Sequence, residues 1–307
     1  MSSINRNRPA LTIILLSFFF ISSSVSTKFT ILNSCTYTVW PGLLSGAGTA
    51  QLPTTGFALA PGDSAIVPIP PSWSGRLWGR TRCTTDPSTN RFTCLTGDCG
   101  SGAIDCSGSG AAPPSTLVEF TLNGADGLDF YDVSLVDGYN LPMLITPQGG
   151  NNCTPTGCAA DLNMGCPNEL KVMTAEEGEG VACKSACEAF GDPQYCCSGA
   201  YATPDTCKPS TYSEMFKAAC PRAYSYAYDD GTSTFTCAAA DYLITFCPSA
   251  ANSQKSANPV AVNPTMQYGS SGAYEPSVLL AVIMLTLPII FFDGSVPRLD
   301  ISATRRT

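Results

Sequence analysis

The sequence predicts a mainly β protein, a sandwich or barrel that carries a disulfide-rich satellite. Three observations predict it. Short stretches rich in Thr, Val, Ile and aromatic residues alternate in polarity between Gly and Pro punctuation. All 16 cysteines fall between Cys35 and Cys247. From Cys158 onward the composition turns to cysteine and short polar turns, the mark of a loop-rich stapled segment.

"KFTILNSCTYTVWPG" (Lys28 to Gly42) has the residue types and alternation of a strand pair, and "LAPGDSAIVPIPPSWSGRLWGRTRC" continues with punctuated strands. "STLVEFTLNGADGLDFYDVSLVDGYNLPMLITP" supplies more. In an ideal strand Val118, Phe120 and Leu122 share one face and Leu117, Glu119 and Thr121 the other, so Glu119 points away from the apolar face. In the satellite, "GVACKSACEAFG" reads as a helix with Cys183 and Cys187 four apart on one face, and "YSEMFKAACPRAYSY" as a second short helix. "TSTFTCAAADYLITFCP" returns to strand and ends the module at Pro248. Residues 249–276, rich in Ser, Asn, Ala and Pro, form a linker before the apolar run "VLLAVIMLTLPIIFF" (Val278 to Phe292).

The densest cysteine stretch, "FTCLTGDCGSGAIDC" (Phe92 to Cys106), raises three chemistries: metal, redox and structural disulfide. Zinc prefers thiolate and imidazole at tight spacings, and the chain has no histidine. A redox Cys-x-x-Cys is absent from the stretch, whose spacings are Cys94-x4-Cys99 and Cys99-x6-Cys106. The compartment agrees with disulfides: Arg6 and Arg8 precede the run "ALTIILLSFFFI", and small residues follow at Ser24 and Ser26. That is the layout of a secretory leader, residues 1–26, cleaved before Thr27. An oxidising route and an even cysteine count give structural bridges and no metal.

Without imidazole, a Ser-His-Asp triad, a Cys-His protease and a His-ligated metallohydrolase all fall away. There is no Walker-type phosphate loop. Between Cys35 and Cys247, 9 Lys or Arg stand against 21 Asp or Glu, so nucleic acid is a poor partner. From Phe92 to Leu170 there are nine acids and no base. By itself such a run reads as a solvated acidic surface that keeps a secreted protein soluble.

The motifs "FTCLTGDCGSGAIDC", "CAADLNMGCP", "YCCSG", "ACPRAYSYAYDD", "STFTC" and the terminal "FCP", with all 16 cysteines in order, resemble the thaumatin-like family, the group-five pathogenesis-related proteins. The resemblance runs from about residue 27 to 248. Its signature around Cys94 to Cys106 is met except at Asn90, where the family usually has Gly. The resemblance implies a β-sandwich core (27–80, 107–158 and 221–248), a small disulfide loop domain (81–106) and a disulfide-rich domain with short helices (159–220).

Sixteen cysteines allow roughly two million pairings, a count extended from smaller sets. Carried over by order, the resemblance implies Cys35–Cys247, Cys83–Cys94, Cys99–Cys106, Cys153–Cys237, Cys158–Cys220, Cys166–Cys183, Cys187–Cys196 and Cys197–Cys207. It further implies defence against fungi by a monomer without cofactor that binds wall β-1,3-glucan, or another cell-wall polysaccharide, at an acidic cleft between the sandwich and the disulfide-rich domain. Slow endo-β-1,3-glucan hydrolysis and a surface-tethered, receptor-like wall protein without catalysis are the alternatives. The cleft residues map by motif: Arg76 from "GRLWGR", Glu119 from "TLVEF", Asp132 and Asp137 from "FYDVSLVDG" and Asp229 from "SYAYDDG". Glycoside hydrolysis needs one protonated and one ionised carboxyl, which makes Glu119 the candidate acid and Asp132 the candidate base. Asp137 has the opposite strand parity to Asp132 and reaches the cleft only if the "VDGY" turn bends it back.

Asn152 in "NCT" is the chain's one glycosylation sequon; Cys153 inside it is expected to be bridged, which predicts partial or no occupancy. Residues 277–307 are expected to act as an anchor or anchor signal with a polar tail, placing the module in the apoplast or wall or tethering it to the plasma membrane. The 15-residue run is short of the roughly 20 a spanning helix needs, and Pro288 interrupts it. Ser270, Ser271 and Gly272 suit a glycolipid attachment site, whereas the polar tail with Arg298, Arg305 and Arg306 suits the cytoplasmic side of a single span. Treating membranes with a glycolipid-cleaving phospholipase separates these: the lipid anchor releases the protein, a single span retains it, and recovery from medium without treatment defeats both.

Overall fold

In chain order the strands are β1 (Thr27–Asn33), β2 (Trp40–Ser45), β3 (Ser64–Ile69), β4 (Ser74–Thr85), β5 (Phe92–Thr96), β6 (Leu117–Thr121) and β7 (Asp129–Ser134). They continue with β8 (Met143–Gln148), β9 (Thr156–Cys158), β10 (Lys171–Met173), β11 (Gly180–Cys183), β12 (Phe235–Cys237), β13 (Asp241–Phe246) and β14 (Met266–Gln267). The helices are α1 (Leu162–Gly165), α2 (Ala186–Phe190), α3 (Pro193–Cys196), α4 (Thr211–Ala219) and α5 (Asp230–Ser233). The computed structural model describes residues 26–151, 153–174, 178–238, 240–249 and 266–267. The expected leader before Ser26, the sequon Asn152, most of the expected linker and the whole of 277–307 lie outside the described residues.

One sheet runs β14-β3-β1-β13-β8-β9, and the other β12-β7-β6-β4-β2 with β5 paired to β4. Their inner faces share one apolar core, in which Phe29, Ile31 and Val67 of the first sheet meet Leu77, Val118 and Val133 of the second. Aromatic rings bridge the layers: Phe29 lies 4.4 Å from Phe120, and Tyr242 lies 4.8 Å from Phe120 and 5.4 Å from Tyr131. Such pairs add about 0.5–1.5 kcal/mol each beyond the area they bury. The outer face of the second sheet is covered at one end by a separate cluster of Trp78, Leu117, Cys99 and Cys106. The cysteine-dense stretch thus acts as a plate over that end.

Three local expectations differ from the structure. The strands within Lys28 to Gly42 do not pair with each other: β1 joins β3 and β13, and β2 joins β4 in the other sheet. Buried Asn33 enforces the crossing, donating to the carbonyls of Tyr37 and Leu59 while accepting from the Cys35 amide. In "GVACKSACEAFG", residues 180–183 are strand, and helix starts only after Ser185, whose hydroxyl accepts from the Glu188 amide. Cys183 exchanges both backbone hydrogen bonds with Tyr139 at 2.8 Å, so tertiary pairing overrides the local helical spacing, and Cys183 and Cys187 do not share a helix face. Within the expected linker, β14 adds to β3 in parallel, with Met266 against the core.

Two backbone positions explain residue choice. Asn90 has φ 53°, a left-handed conformation that Asn tolerates better than other residues with a Cβ. Gly138 has φ 86°, and a Cβ there would come within 2.8 Å of the Cys183 carbonyl and 2.6 Å of Pro114.

All 16 cysteines are bridged, in the eight pairs named above. Cys153–Cys237 ties the first sheet to the second, Cys158–Cys220 ties the sandwich to the end of α4, and Cys35–Cys247 joins the ends of parallel neighbours β1 and β13 across 212 residues of sequence. Long loops gain most from closure, so the Cys35→Ala/Cys247→Ala double variant is expected to lose about 2–5 kcal/mol of stability. Denaturant unfolding measures it, and an unchanged midpoint would show that the bridge adds nothing beyond the strand pairing.

Candidate functional site

The register of three adjacent strands builds the site. Arg76 of β4 stands opposite Glu119 of β6, and Glu119 stands opposite Asp132 of β7. Directly opposed residues share a face, and their neighbours Leu77, Val118 and Val133 form the next row on the other face, inside the core. The three charged side chains therefore line up across the outer face, beside the end that Trp78 and Leu117 cover. Arg76 Nη2 lies 3.5 Å from Glu119 Oε1, with both side chains about 30% exposed (31% and 27%).

The second wall comes from the segment after α4. The amide of Tyr224 donates to the Val133 carbonyl and the amide of Leu135 donates to the Tyr224 carbonyl, so this segment runs along β7. Burial, with the nearby Asp230 and Asp132 carboxylates, pushes the Tyr224 phenol up. Its hydroxyl bonds Asp230 and Thr234.

Asp229 occupies a closed network. Its Oδ2 accepts from the Ser225 amide and hydroxyl at 3.0 Å and pairs with Lys217 Nζ of α4 at 2.9 Å, while Oδ1 accepts from Thr232. With a side chain only 11% exposed, Asp229 clamps α4 to this segment. Asp137 sits in the turn after β7, where the Gly138 amide donates to the Leu135 carbonyl and brings the chain round. From there its negative charge helps to push the Glu188 carboxyl of α2 up.

Glu188 was not among the residues singled out in the sequence. Burial raises its carboxyl to about 7; Lys184, 3.9 Å away, opposes the rise and Asp137 adds to it. Its Oε2 is buried without a hydrogen-bond partner. The Ser-x-x-Glu spacing of Ser185 and Glu188, a helix-start signature, was the available signal, and it points to a cap rather than to a cleft. The pairing of Lys217 with Asp229 was likewise invisible, because 12 residues and a turn separate them in sequence.

The structure thus brings Arg76, Glu119 and Asp132 into one row, leaves Asp137 in the turn after β7, and turns Asp229 into a structural clamp. Among the described residues, no group of three or more His, Cys, Asp or Glu could hold a metal ion.

A disulfide-stapled β-sandwich with a charged row on the outer face of one sheet, flanked by a cysteine-rich segment with short helices, defines the class of fold. The sequence model of the Thaumatin family matches residues 33–248, and the chain belongs to that family. Thaumatin-like protein 1 of Arabidopsis thaliana is 57% identical over 248 residues, covering 77% of this chain and 94% of that protein. The PR5-like receptor kinase of Arabidopsis thaliana is 54% identical over 244 residues, covering 78% of this chain but 36% of the kinase. Among solved structures, a laminaripentaose-producing β-1,3-glucanase in complex with laminaritetraose matches with a TM-score of 0.50 at 12% identity, over 73% of this chain and 99% of the glucanase. At that identity the likeness shows the fold alone.

The raised carboxyl of Glu188 sets a pH dependence. Its folded value lies above the ordinary 4.5, so the fold favours the protonated form: this contribution is fully present below about pH 4.5 and is lost as pH rises through about 7. Glu188→Gln should leave stability at pH 4 nearly unchanged and raise it at pH 8 by on the order of 2 kcal/mol. Unfolding midpoints at the two pH values test this, and equal shifts at both would remove Glu188 as the cause.

Proposed function

We propose that the chain is an extracellular plant defence protein that binds β-1,3-glucan of fungal walls along the outer face of its second sheet. The observation that carries this reading is the cross-strand row Arg76–Glu119–Asp132, held half-exposed between the Trp78–Leu117 plate and the Tyr224 segment. Sugar hydroxyls are donors in search of strong acceptors, and ionised carboxylates on a rigid sheet supply them without first being ordered. Arg76 donates to the same edge and limits repulsion within the row.

Two arrangements favour binding over hydrolysis. Arg76 gives Glu119 a cationic partner, whereas the leaving-group acid of a glycosidase must carry a proton. The carboxyl that burial does bring near neutral pH, Glu188, lies on α2 of the disulfide-rich segment and not on the strands that carry Glu119 and Asp132. Weak endo-β-1,3-glucanase activity through Glu119 and Asp132 is the second reading, since directly opposed residues have Cβ atoms about 4.5–5.5 Å apart, close enough for their carboxyls to act on one bond. The receptor-kinase relative favours a third, in which the module is carried at the cell surface and binds without catalysis.

Glu119→Ala and Asp132→Ala should each weaken binding of soluble laminarin roughly tenfold, the worth of about one charge-assisted hydrogen bond, with the unfolding midpoint nearly unchanged. Glu119→Gln and Asp132→Asn should lose less, because amides still bond hydroxyls. Titration calorimetry measures this, and full affinity in both alanine variants would remove the row from the site. Zymography on the same proteins separates the second reading: laminarin clearing by the wild type that both amide variants lose would establish hydrolysis.

A further inference from the structure

The family model ends at residue 248, yet the chain returns to the sandwich beyond it. Met266 and Gln267 form β14, which pairs in parallel with β3, Met266 opposite Ala65 and Gln267 opposite Ile66. Directly opposed residues share a face, so Met266 joins fully buried Ala65 on the inner face while Gln267 stays with Ile66 on the outer. Burial follows that parity: Met266 is half-buried against the apolar core, and Gln267 is exposed. An apolar side chain inward and an amide outward is the pattern of a strand that belongs to the sheet.

The edge that β14 covers carries backbone groups that need partners. On its other side β3 pairs antiparallel with β1, and the Lys28 amide, opposite Pro68, donates to Asp241 at the start of β13 rather than to β3. Lys28 and Pro68 are therefore a non-hydrogen-bonded pair, whose backbone groups point away from each other, and by the period of two so are Thr30 and Ile66. The N–H and C=O of Ile66 consequently look to the outer edge of β3, where β14 is the neighbour among the described residues. Two positions on, Pro68 has no N–H to offer at that edge, which blunts it. β14 sits on the stretch before Pro68, where a donor is available.

Strand register also fixes which chain supplies β14. Phe246, the last residue of β13, is level with Asn33 of β1; Leu32 is level with Ser64, and Ala65 with Met266. Met266 therefore lies three strand spacings, about 14 Å, across the sheet from β13 and close to its end. Residues 249–265 span up to about 60 Å when extended, so the same chain closes this gap with much to spare. A segment tethered in this way meets β3 at a far higher effective concentration than a second copy does.

We propose that Met266–Gln267 is an intramolecular latch on the edge of β3: it covers the outward backbone groups of Ile66 and makes Gln267, rather than Pro248, the point where the polypeptide leaves the module. Whatever follows residue 267 is thereby joined to the sandwich at the edge of the first sheet, while the Arg76–Glu119–Asp132 row lies on the outer face of the second. The latch does not depend on what that row binds.

Hydrogen–deuterium exchange on the full chain, read by mass spectrometry on peptides covering Ser64–Ile69, tests this, with light scattering on the same samples. In the wild type the Ile66 amide is protected and the protein is monomeric. Met266→Asp, which sets a charge against the core, should speed exchange of that amide roughly tenfold or more, whereas Met266→Leu should keep the wild-type protection. Peptides from β13 should exchange alike in all three proteins. Equal exchange of the Ser64–Ile69 peptides in the wild type and Met266→Asp would overturn the latch. A wild-type dimer that Met266→Asp converts to monomer would overturn the intramolecular assignment, because a second copy would then supply the strand.

Discussion

The register between β4, β6 and β7 is the constraint on which the rest depends. Strand side chains alternate with a period of two, so Leu77, Val118 and Val133 can enter the core only if Arg76, Glu119 and Asp132 point outward. A slip of one residue in β6 would carry Glu119 into a layer occupied by Phe29 and Tyr242 and expose Val118 and Phe120. The cost of burying an unpartnered carboxylate there makes the slipped pairing inaccessible. The placement of the charged row is therefore a by-product of core packing and does not depend on interactions within the row.

Disulfides complete what the sheets begin. The satellite segment has short helices and a two-stranded ribbon, too little to bury a core of its own, and three bridges lie wholly inside it. Cys158–Cys220 and the Tyr139–Cys183 backbone pair fasten it to the sandwich, and the Lys217–Asp229 ion pair holds α4 against the segment that flanks β7. The segment that flanks β7 and the disulfide-rich segment are consequently parts of one stapled scaffold.

The acidic run from Phe92 to Leu170 divides once the chain is folded. Asp98 accepts from the amides of Cys94 and Gly100, Asp161 caps α1, and buried Asp129 accepts from the Asn123 amide and the Tyr242 hydroxyl. These carboxylates satisfy backbone and core donors. Glu119 and Asp132 are left on the outer face of the second sheet, and Asp137 in the turn after β7. One stretch of like charge thus serves both turn construction and site construction, and charge counting alone separates neither.

By itself the sequence determined the β class, from its alternating stretches, and the outward direction of Glu119, from the parity of "TLVEF". Both follow from local periodicity, which needs no knowledge of partners. The even, dense cysteine set indicated bridging, but the pairing entered only through the family resemblance, since loop closure does not select among so many connectivities. What only the tertiary structure decided is what distant residues do to each other. Asn33 splits an apparent strand pair between two sheets, and Tyr139 draws Cys183 out of a helix and into a strand. Lys217 turns Asp229 into a clamp, burial on α2 raises the Glu188 carboxyl, and the tyrosines at 195, 212 and 226 line one groove. Each depends on contacts between segments that no local pattern relates, made where burial and unpaired backbone groups outweigh the propensity of any short stretch.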